Sequence, residues 1–539
     1  MAGLALDRIR RLGKEAERTG SMSKSPSSRT KFVHLRWFSS IVPLAGLAAL
    51  VACGGPSTAS FRSRGGGGGG GVPGAPCTPP SPITSSSGNV AAGVGTTASS
   101  TYMDLHVGGS DHLNTVTVPY GSLRLWDTST GWAQINTASG VYDFSTLDGF
   151  VNSAPSGVDL LYNLARTPHW ASSNPNDSSC SYNTNDFPNG GGNGQCWAPL
   201  DLNSDGSGSN QDWINWVTAV ATQNKNVYRD KIKYLEIWNE WNVTKFWQGT
   251  SAQLVRMEQD ARCVVEGPPA GHSCNSDSSF PSGTGIDSAV RIVTPSAVGA
   301  HDKLNEVGLD LSNYFGTKVG GVGGGTFSDV IGFHGYVGTQ GSSGLCPNPE
   351  EVTTVVGDLN NSVLSFTTEA AGKPLFNTEG GWSRASEEGF TDPDRQAAFL
   401  ARYFLLQRSL GVERVYWYRW DATSTYGGAL WTPSTGPTQA ASAWTEVSKW
   451  INGATLSTAC TANGSVWSCG FVRPGGYLSL AVWDAGQDCQ NGVCKTKDYT
   501  VPAGFTLYLD LTGKSASTSA GSIIQIGAKP ILLENGTLP

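Results

Sequence analysis

Two glutamates stand out by their surroundings. Glu240 closes the stretch YLEIWNE, and Glu379 sits in PLFNTEGGW; each follows a short apolar run and has a tryptophan nearby. Short apolar runs of this kind read as buried strands. A carboxylate at the end of such a strand is aimed at something. Two convergent carboxylates can cleave an acetal: one protonates the leaving oxygen while the other stabilises or attacks the oxocarbenium-like carbon. The aromatic surroundings of Glu240 should raise its pKa and keep it protonated, as an acid must be. Glu379 has to stay ionised and therefore needs donors or a cation beside it.

The elements that would position them follow a regular alternation. TYMDLHV, GSLRLWD, VDLLYNLA, IKYLEIWNE, RIVTPSAV, DVIGFHGYV, KPLFNTEGGW and ERVYWYRW read as strands. Between them, and after the last, lie amphipathic stretches such as FSTLDGFVNSA, DWINWVTAVATQN, SAQLVRMEQDARCVV, KLNEVGLDLSNYF, EEVTTVVGDLNNSVLSFTTEA, RQAAFLARYFLLQRSL and AASAWTEVSKWI. Strands alternating with helices imply parallel pairing through right-handed crossovers, and eight such units predict an α/β fold of the (β/α)8 TIM-barrel type. An open doubly wound sheet is the alternative, but no Gly-rich nucleotide turn follows the first strand. In the barrel, Glu240 ends the fourth strand and Glu379 the seventh, so both open into the C-terminal mouth. The insertion 172–212, after the third strand, falls on the same face. From Leu456 the pattern changes to short strands (SVWSCGFVRP, YLSLAVWD, FTLYLDLTG, SIIQIGAKPILLE), which predicts a C-terminal all-β sandwich. The expected boundaries are a barrel over 99–453 and a sandwich module over 454–539.

At this point the sequence resembles glycoside hydrolase clan A, the retaining 4/7 barrels, and within it leans towards family thirty-nine. The residues that carry the resemblance are WNE (Trp238 to Glu240), TEGGW (Thr378 to Trp382) and FHGY (Phe333 to Tyr336). Further support comes from YDFSTLDGFVNSA, LARTPHWAS and IGAKPILLE. The resemblance implies Glu240 as general acid/base and Glu379 as the nucleophile of a double displacement on a β-linked glycoside. It implies Asn239 on the sugar 2-OH, Tyr336 and Arg124 holding Glu379 ionised, and His334 lining the pocket. Trp420 would floor the subsite, with Trp170 and Trp382 as further sugar contacts. Arg124 could equally pair with Glu236, which shares the strand parity of Glu240. Many clan members carry Pro after the acid; Trp241 stands there in this chain.

The flanks speak of export. Ile41 to Ala52 is an apolar stretch too short to span a bilayer, preceded by Lys31 and Arg36, and it ends in Leu50-Val51-Ala52-Cys53. It suits a signal peptide, with Met22 as a second possible start, and its end resembles the bacterial lipobox. The expectation is a signal peptide over 1–52, lipidation at Cys53 and a Gly/Pro/Ser-rich tether over 53–98: an exported bacterial lipoprotein at the cell surface or on the periplasmic or extracellular face of the outer membrane. Setting Cys53 aside leaves ten of the 11 cysteines, an even number. Cys180 with Cys196, Cys263 with Cys274, Cys460 with Cys469, and Cys489 with Cys494 are close in sequence, which would leave Cys77 and Cys346 for each other; other connectivities stay open. An oxidising compartment fits. With a net charge of −7 and no basic patch, nucleic acid is not an expected partner. The two-glutamate chemistry calls for no metal or organic cofactor, and the expected partners are an oligo- or polysaccharide and, through the lipid alone, a membrane. A non-catalytic glycan-binding lipoprotein is the alternative in function.

Overall fold

The computed structural model describes residues 77–85, 89–180, 192–281, 285–299, 306–337, 345–363, 365–382, 389–421 and 428–537. The expected signal peptide, Cys53 and the first part of the tether lie outside the described residues. Eight parallel strands form one sheet. They are β1 (Met103–His106), β2 (Ser122–Leu125), β3 (Asp159–Leu164), β4 (Ile232–Ile237), β5 (Arg291–Val293), β6 (Ile331–His334), β7 (Leu375–Gly380) and β8 (Val412–Trp417). The pairing runs β5-β4-β3-β2-β1-β8-β7-β6. Parallel bridges Val293–Val330 and Val298–His334 join β5 to β6, so the sheet closes into the expected barrel.

The crossover helices are α1 (Ser145–Ser153), α2 (Gln211–Gln223), α3 (Ser251–Val265), α4 (Glu306–Gly316), α5 (Val352–Val363), α6 (Pro393–Ser409) and α7 (Gln439–Ile451). Their starts are written locally. Thr250 and Gln253 form a reciprocal capping box on α3, and Asp392 accepts from two backbone amides of α6 ahead of Pro393. Between β1 and β2 a short 3-10 turn (Ser110–Thr115) stands where a helix would complete the repeat.

Three elements are shorter than the sequence suggests. β5 stops at Val293 because Pro295 cannot donate to a ladder. The helix expected over 350–370 ends at Val363; Phe366 beyond it packs on Phe315 instead. β4 ends at Ile237, three residues before Glu240.

From Thr455 the chain forms β9 (Thr455–Asn463), β10 (Val466–Arg473), β11 (Tyr477–Asp484), β12 (Thr496–Thr500), β13 (Leu507–Leu509), β14 (Ser515–Ser517), β15 (Ile523–Gly527) and β16 (Ile531–Glu534). Six of them make an antiparallel sheet, β9-β10-β11-β16-β13-β14, and β12 pairs with β15 in a ribbon. Val482, Val501, Ile526, Ile531 and Leu533 are buried together between sheet and ribbon. Trp483 Nε1 donates to Glu350 Oε1 (2.8 Å) and Arg395 pairs with Asp488, which ties this module to the barrel. Residues 77–85 and 89–98, expected as tether, are held to the body by contacts of their own: Cys77 is bonded to Cys346, Gly93 N donates to Ser409 O and Gly95 N to Leu456 O. The other disulfides join Cys180–Cys196, Cys263–Cys274, Cys460–Cys469 and Cys489–Cys494. Among the described residues no helix is long and apolar enough to cross a membrane.

Candidate active site

Side chains alternate along a strand, so every second residue of a barrel strand points inward. Low in the barrel the inward positions hold Asp104, Tyr234 and Arg414, whose guanidinium lies 4.7 Å from the Tyr234 ring centre. One step up are Ser122 and Tyr416, bonded to each other at 2.9 Å. The top layer is polar: His106, Arg124, Asn163, Glu236 and His334, all at most 2% exposed.

Arg124 is the hub of this layer. Its Nε donates to Glu236 Oε2 (2.6 Å), Nη1 to Glu379 Oε2 (2.8 Å) and Nη2 to Asn239 Oδ1 (2.6 Å). Both partners foreseen for it are therefore present at once, because the guanidinium fork offers five donors in fixed directions. Asn239 Nδ2 is buried and has no partner among the described residues.

Glu379 reaches the mouth through a bulge. His334 pairs with Glu379 where Phe333 pairs with Asn377, so β7 carries one residue more than its neighbour. The extra residue turns Asn377 outward to Tyr403 and Gln407 and Glu379 inward. Its Oε1 accepts from Tyr336 Oη (2.7 Å) and its Oε2 from Arg124. Burial pushes its pKa above the ordinary carboxylate range, and an ionised Glu240 would push it further; a protonated His334 would pull the other way, as do Arg124 and the Tyr336 hydrogen bond.

Glu240 sits on a strained turn rather than on a strand. Trp238 has φ +62° and Glu240 φ +43°, left-handed positions that cost a side-chain-bearing residue about 1–3 kcal/mol each. The turn is held by Trp238 Nε1 on Phe246 O (2.9 Å), Trp238 N on Leu164 O (3.1 Å) and Asn163 Nδ2 on Trp238 O (2.8 Å). Glu240 Oε1 lies 2.8 Å from His334 Nδ1. Burial raises its pKa to about 8, with Asp127 and Glu236 adding to the rise and Arg124 opposing it. Of the two carboxyls, Glu240 holds the proton: its direct partner in the polar layer is His334, a neutral ring, whereas Glu379 has a cation and a phenol. Burial lowers the His334 pKa to about 4, so the ring is neutral. His334 Nε2 faces Arg124 Nη2 at 3.4 Å, and arginine can only donate. Nδ1 therefore carries the hydrogen and donates to Glu240 Oε1, which assigns the acid proton to Oε2.

Two of the three expected tryptophans lie in the core. Trp420 is fully buried, with Nε1 bonded to Thr115 Oγ1 (2.8 Å); no ring face is open, so it is not a subsite floor. Trp382 is a core wedge between Phe390, Phe399 and Trp417, with ring centres 4.8 to 5.6 Å away. Trp170 is partly buried and donates to Asn136 O (2.9 Å). At the mouth stands Tyr418 instead, whose Oη donates to Asp127 Oδ2 (2.9 Å) and whose ring meets His106 edge-on at 5.1 Å. His106 in turn bonds Thr378 O through Nε2 (2.9 Å). His106, Asp127, Asn163, Arg166 and Tyr418 were not singled out from the sequence. The usable signal was position: all but Arg166 fall at inward or terminal positions of runs that read as strands.

A family 39 glycoside hydrolase from the gut symbiont Bacteroides cellulosilyticus WH2 matches this structure with a TM-score of 0.53, covering 80% of either chain at 15% identity. The two share a fold. The resemblance to clan A barrels seen in the motifs is thus a resemblance of architecture as well. A glucosidase from Croceicoccus marinus (TM-score 0.48, 11% identity, 84% of this chain and 96% of that one) matches less well. So does a GH39 β-xylosidase from Caulobacter crescentus (0.48, 13%, 81% and 97%). No family model and no curated protein sequence matches the chain.

Proposed function

We propose that this protein is a retaining O-glycoside hydrolase that cleaves β-linked glycosides or polysaccharide fragments. One observation carries the proposal: oxygens of Glu240 and Glu379 lie within 4.8 Å of each other around His334 Nδ1. Carboxyls about 5–5.5 Å apart suit a double displacement, whereas an inverting pair is about 6.5–9.5 Å apart to admit a water between acid and base. Glu379, the carboxyl with the cation and the phenol, is the nucleophile. Glu240, with its proton on Oε2, protonates the leaving oxygen, then as carboxylate activates the water that releases the sugar. Asn239 Nδ2, the donor left open beside Arg124, serves the 2-OH of the sugar.

The test is hydrolysis of a panel of 4-nitrophenyl β-glycosides and β-linked polysaccharides by wild type and Glu379→Gln. Release with retained anomeric configuration by wild type, and none by the variant, is expected. No hydrolysis across the panel by a protein that still binds glycans would make it a binding protein. The export signals and the five disulfides support an anchored lipoprotein outside the cytoplasm. In that case Cys53→Ala should release it from membranes into the soluble fraction.

A further inference from the structure

β6 ends at His334, yet Tyr336, the donor to Glu379 Oε1, lies two residues beyond it. Strand pairing therefore does not aim the phenol. The chain between the two is held at Gly335, on both of its peptide groups. Gly335 N is shared between Glu379 O (3.0 Å) and Asn377 Oδ1 (2.9 Å). Gly335 O accepts from Tyr403 Oη (2.7 Å).

The side chains that hold Gly335 also hold one another. Asn377 Nδ2 gives one hydrogen to Tyr403 Oη (2.8 Å) and one to Gln407 Oε1 (2.7 Å). With its Oδ1 on Gly335 N, the Asn377 amide is fully used. Asn377, Tyr403 and Gln407 are each 0% exposed, a dry setting in which hydrogen bonds are strengthened and fix one geometry. The Tyr403 ring is itself clamped, stacked on Phe399 (5.5 Å between centres) and edge-on to Trp417 (5.8 Å). Asn377 belongs to the bulged strand β7 and the other two to α6, so helix, bulge and the end of β6 are joined at one point. Two glycines leave room for the join. A Cβ on Gly335 would lie 2.7 Å from Asn377 Nδ2, and one on Gly380 would collide with the Tyr403 hydroxyl.

We propose that Asn377 is a positioning residue of the hydrolase: by the latch it makes with Tyr403 on Gly335, it fixes the direction in which the chain leaves β6 and so aims the Tyr336 phenol at Glu379. The proposal rests on the hydrolase reading above and adds how the donor to the nucleophile is kept in place. Glu379 faces Arg124 from β2, Glu240 from the turn after β4, and His334 and Tyr336 from β6 and its end. His334 lies within the ladder, with its N on Ala297 O (2.9 Å), whereas Tyr336 lies past it and depends on the latch.

The experiment reads the ionisation of Glu379 without turnover. Wild type, Asn377→Ala, Tyr336→Phe and the double variant are each compared with the same protein carrying Glu379→Gln, by urea unfolding from about pH 4 to about pH 9. The folded pKa of Glu379 lies above its ordinary value, so the carboxyl contributes stability below the unfolded pKa that is lost as pH rises through the folded one. Each Glu379→Gln protein therefore gains on its parent with rising pH and levels off at the folded pKa. Asn377→Ala should move that levelling point up by about half a unit to one unit, towards the shift given by Tyr336→Phe. Its hydrolysis of an aryl β-glycoside should fall at least about threefold more on the acid side of the profile than on the plateau. In the Tyr336→Phe background, Asn377→Ala should add no further shift. An unmoved levelling point despite lower stability makes Asn377 a core residue only and overturns the proposal. So does an equal shift in both backgrounds, or a Tyr336→Phe protein with no shift of its own. Tyr403→Phe keeps the packed ring and removes the donor to Gly335 O; it should shift the point in the same direction and serves if Asn377→Ala does not fold. The expected shifts in a protein that hydrolyses no glycoside overturn the hydrolase and leave the latch. Hydrolysis without the shifts does the reverse, and neither overturns both.

Discussion

Tyr336→Phe isolates a single contact, the 2.7 Å hydrogen bond from the phenol to Glu379 Oε1. The ring stays, so packing is preserved, and only the oxygen is lost. A hydrogen bond to a charged group is worth about 1.5–3 kcal/mol, or about one to two pH units at 1.36 kcal/mol per unit. The bond favours the carboxylate, so its loss raises the pKa of Glu379 further above its ordinary value. The acid limb of the kcat/KM profile reports the group that must be ionised in the free enzyme. That limb should move up by about one to two pH units, while the alkaline limb, set by the proton on Glu240, moves little. Consequently kcat/KM should fall much more on the acid side of the profile than on its plateau, and the ratio of the two losses is an internal control against general damage. The assay is a pH series on the best aryl glycoside, with a melting curve at each pH. A uniform loss across pH, an unmoved acid limb, or a shift confined to the alkaline limb would refute the role of Tyr336 as the donor that keeps Glu379 ionised.

Glu240→Gln should stabilise the fold in a pH-dependent way. The folded pKa of about 8 lies above the unfolded value, so the wild-type carboxyl contributes stability below about 4.5 that is lost as pH rises towards 8. The melting temperature of the variant should therefore gain on wild type steadily from pH 4.5 to 8; a constant difference would contradict the buried, protonated acid. Arg124→Lys cannot serve Glu236, Glu379 and Asn239 together. Leaving buried charge unpaired costs about 3–5 kcal/mol, so urea unfolding should shift by that order and kcat/KM drop at least about a hundredfold. Loss of only one of these would mean that the hub is structural or catalytic, not both. Trp382→Ala should cost about 3–5 kcal/mol in denaturant unfolding, as expected of a core wedge; a large rise in KM with unchanged stability would restore it as a sugar contact.

The chemistry was legible locally because its carriers are periodic. Strand alternation, the helical runs between strands and the positions of Glu240 and Glu379 after the fourth and seventh strands are all written in neighbouring residues, and the eight-stranded closed barrel follows from them. The strands lost at their ends, β4 before Glu240 and β5 at Pro295, show where a turn or a missing donor overrides an apolar pattern.

What the tertiary structure alone decided is which side chains meet. An aromatic residue reads the same whether it will floor a subsite or fill a core, since burial is a sum over distant segments. Trp382 and Trp420 went to the core, and Tyr418 took a place at the mouth. The hub on Arg124 joins partners more than a hundred residues away on either of two strands and the turn after one of them, and no local pattern encodes that convergence. Sequence by itself determined that there would be a barrel with two carboxylates after its fourth and seventh strands; long-range packing determined which side chains surround them, because a guanidinium or a ring reaches a carboxyl only when distant segments close on one another.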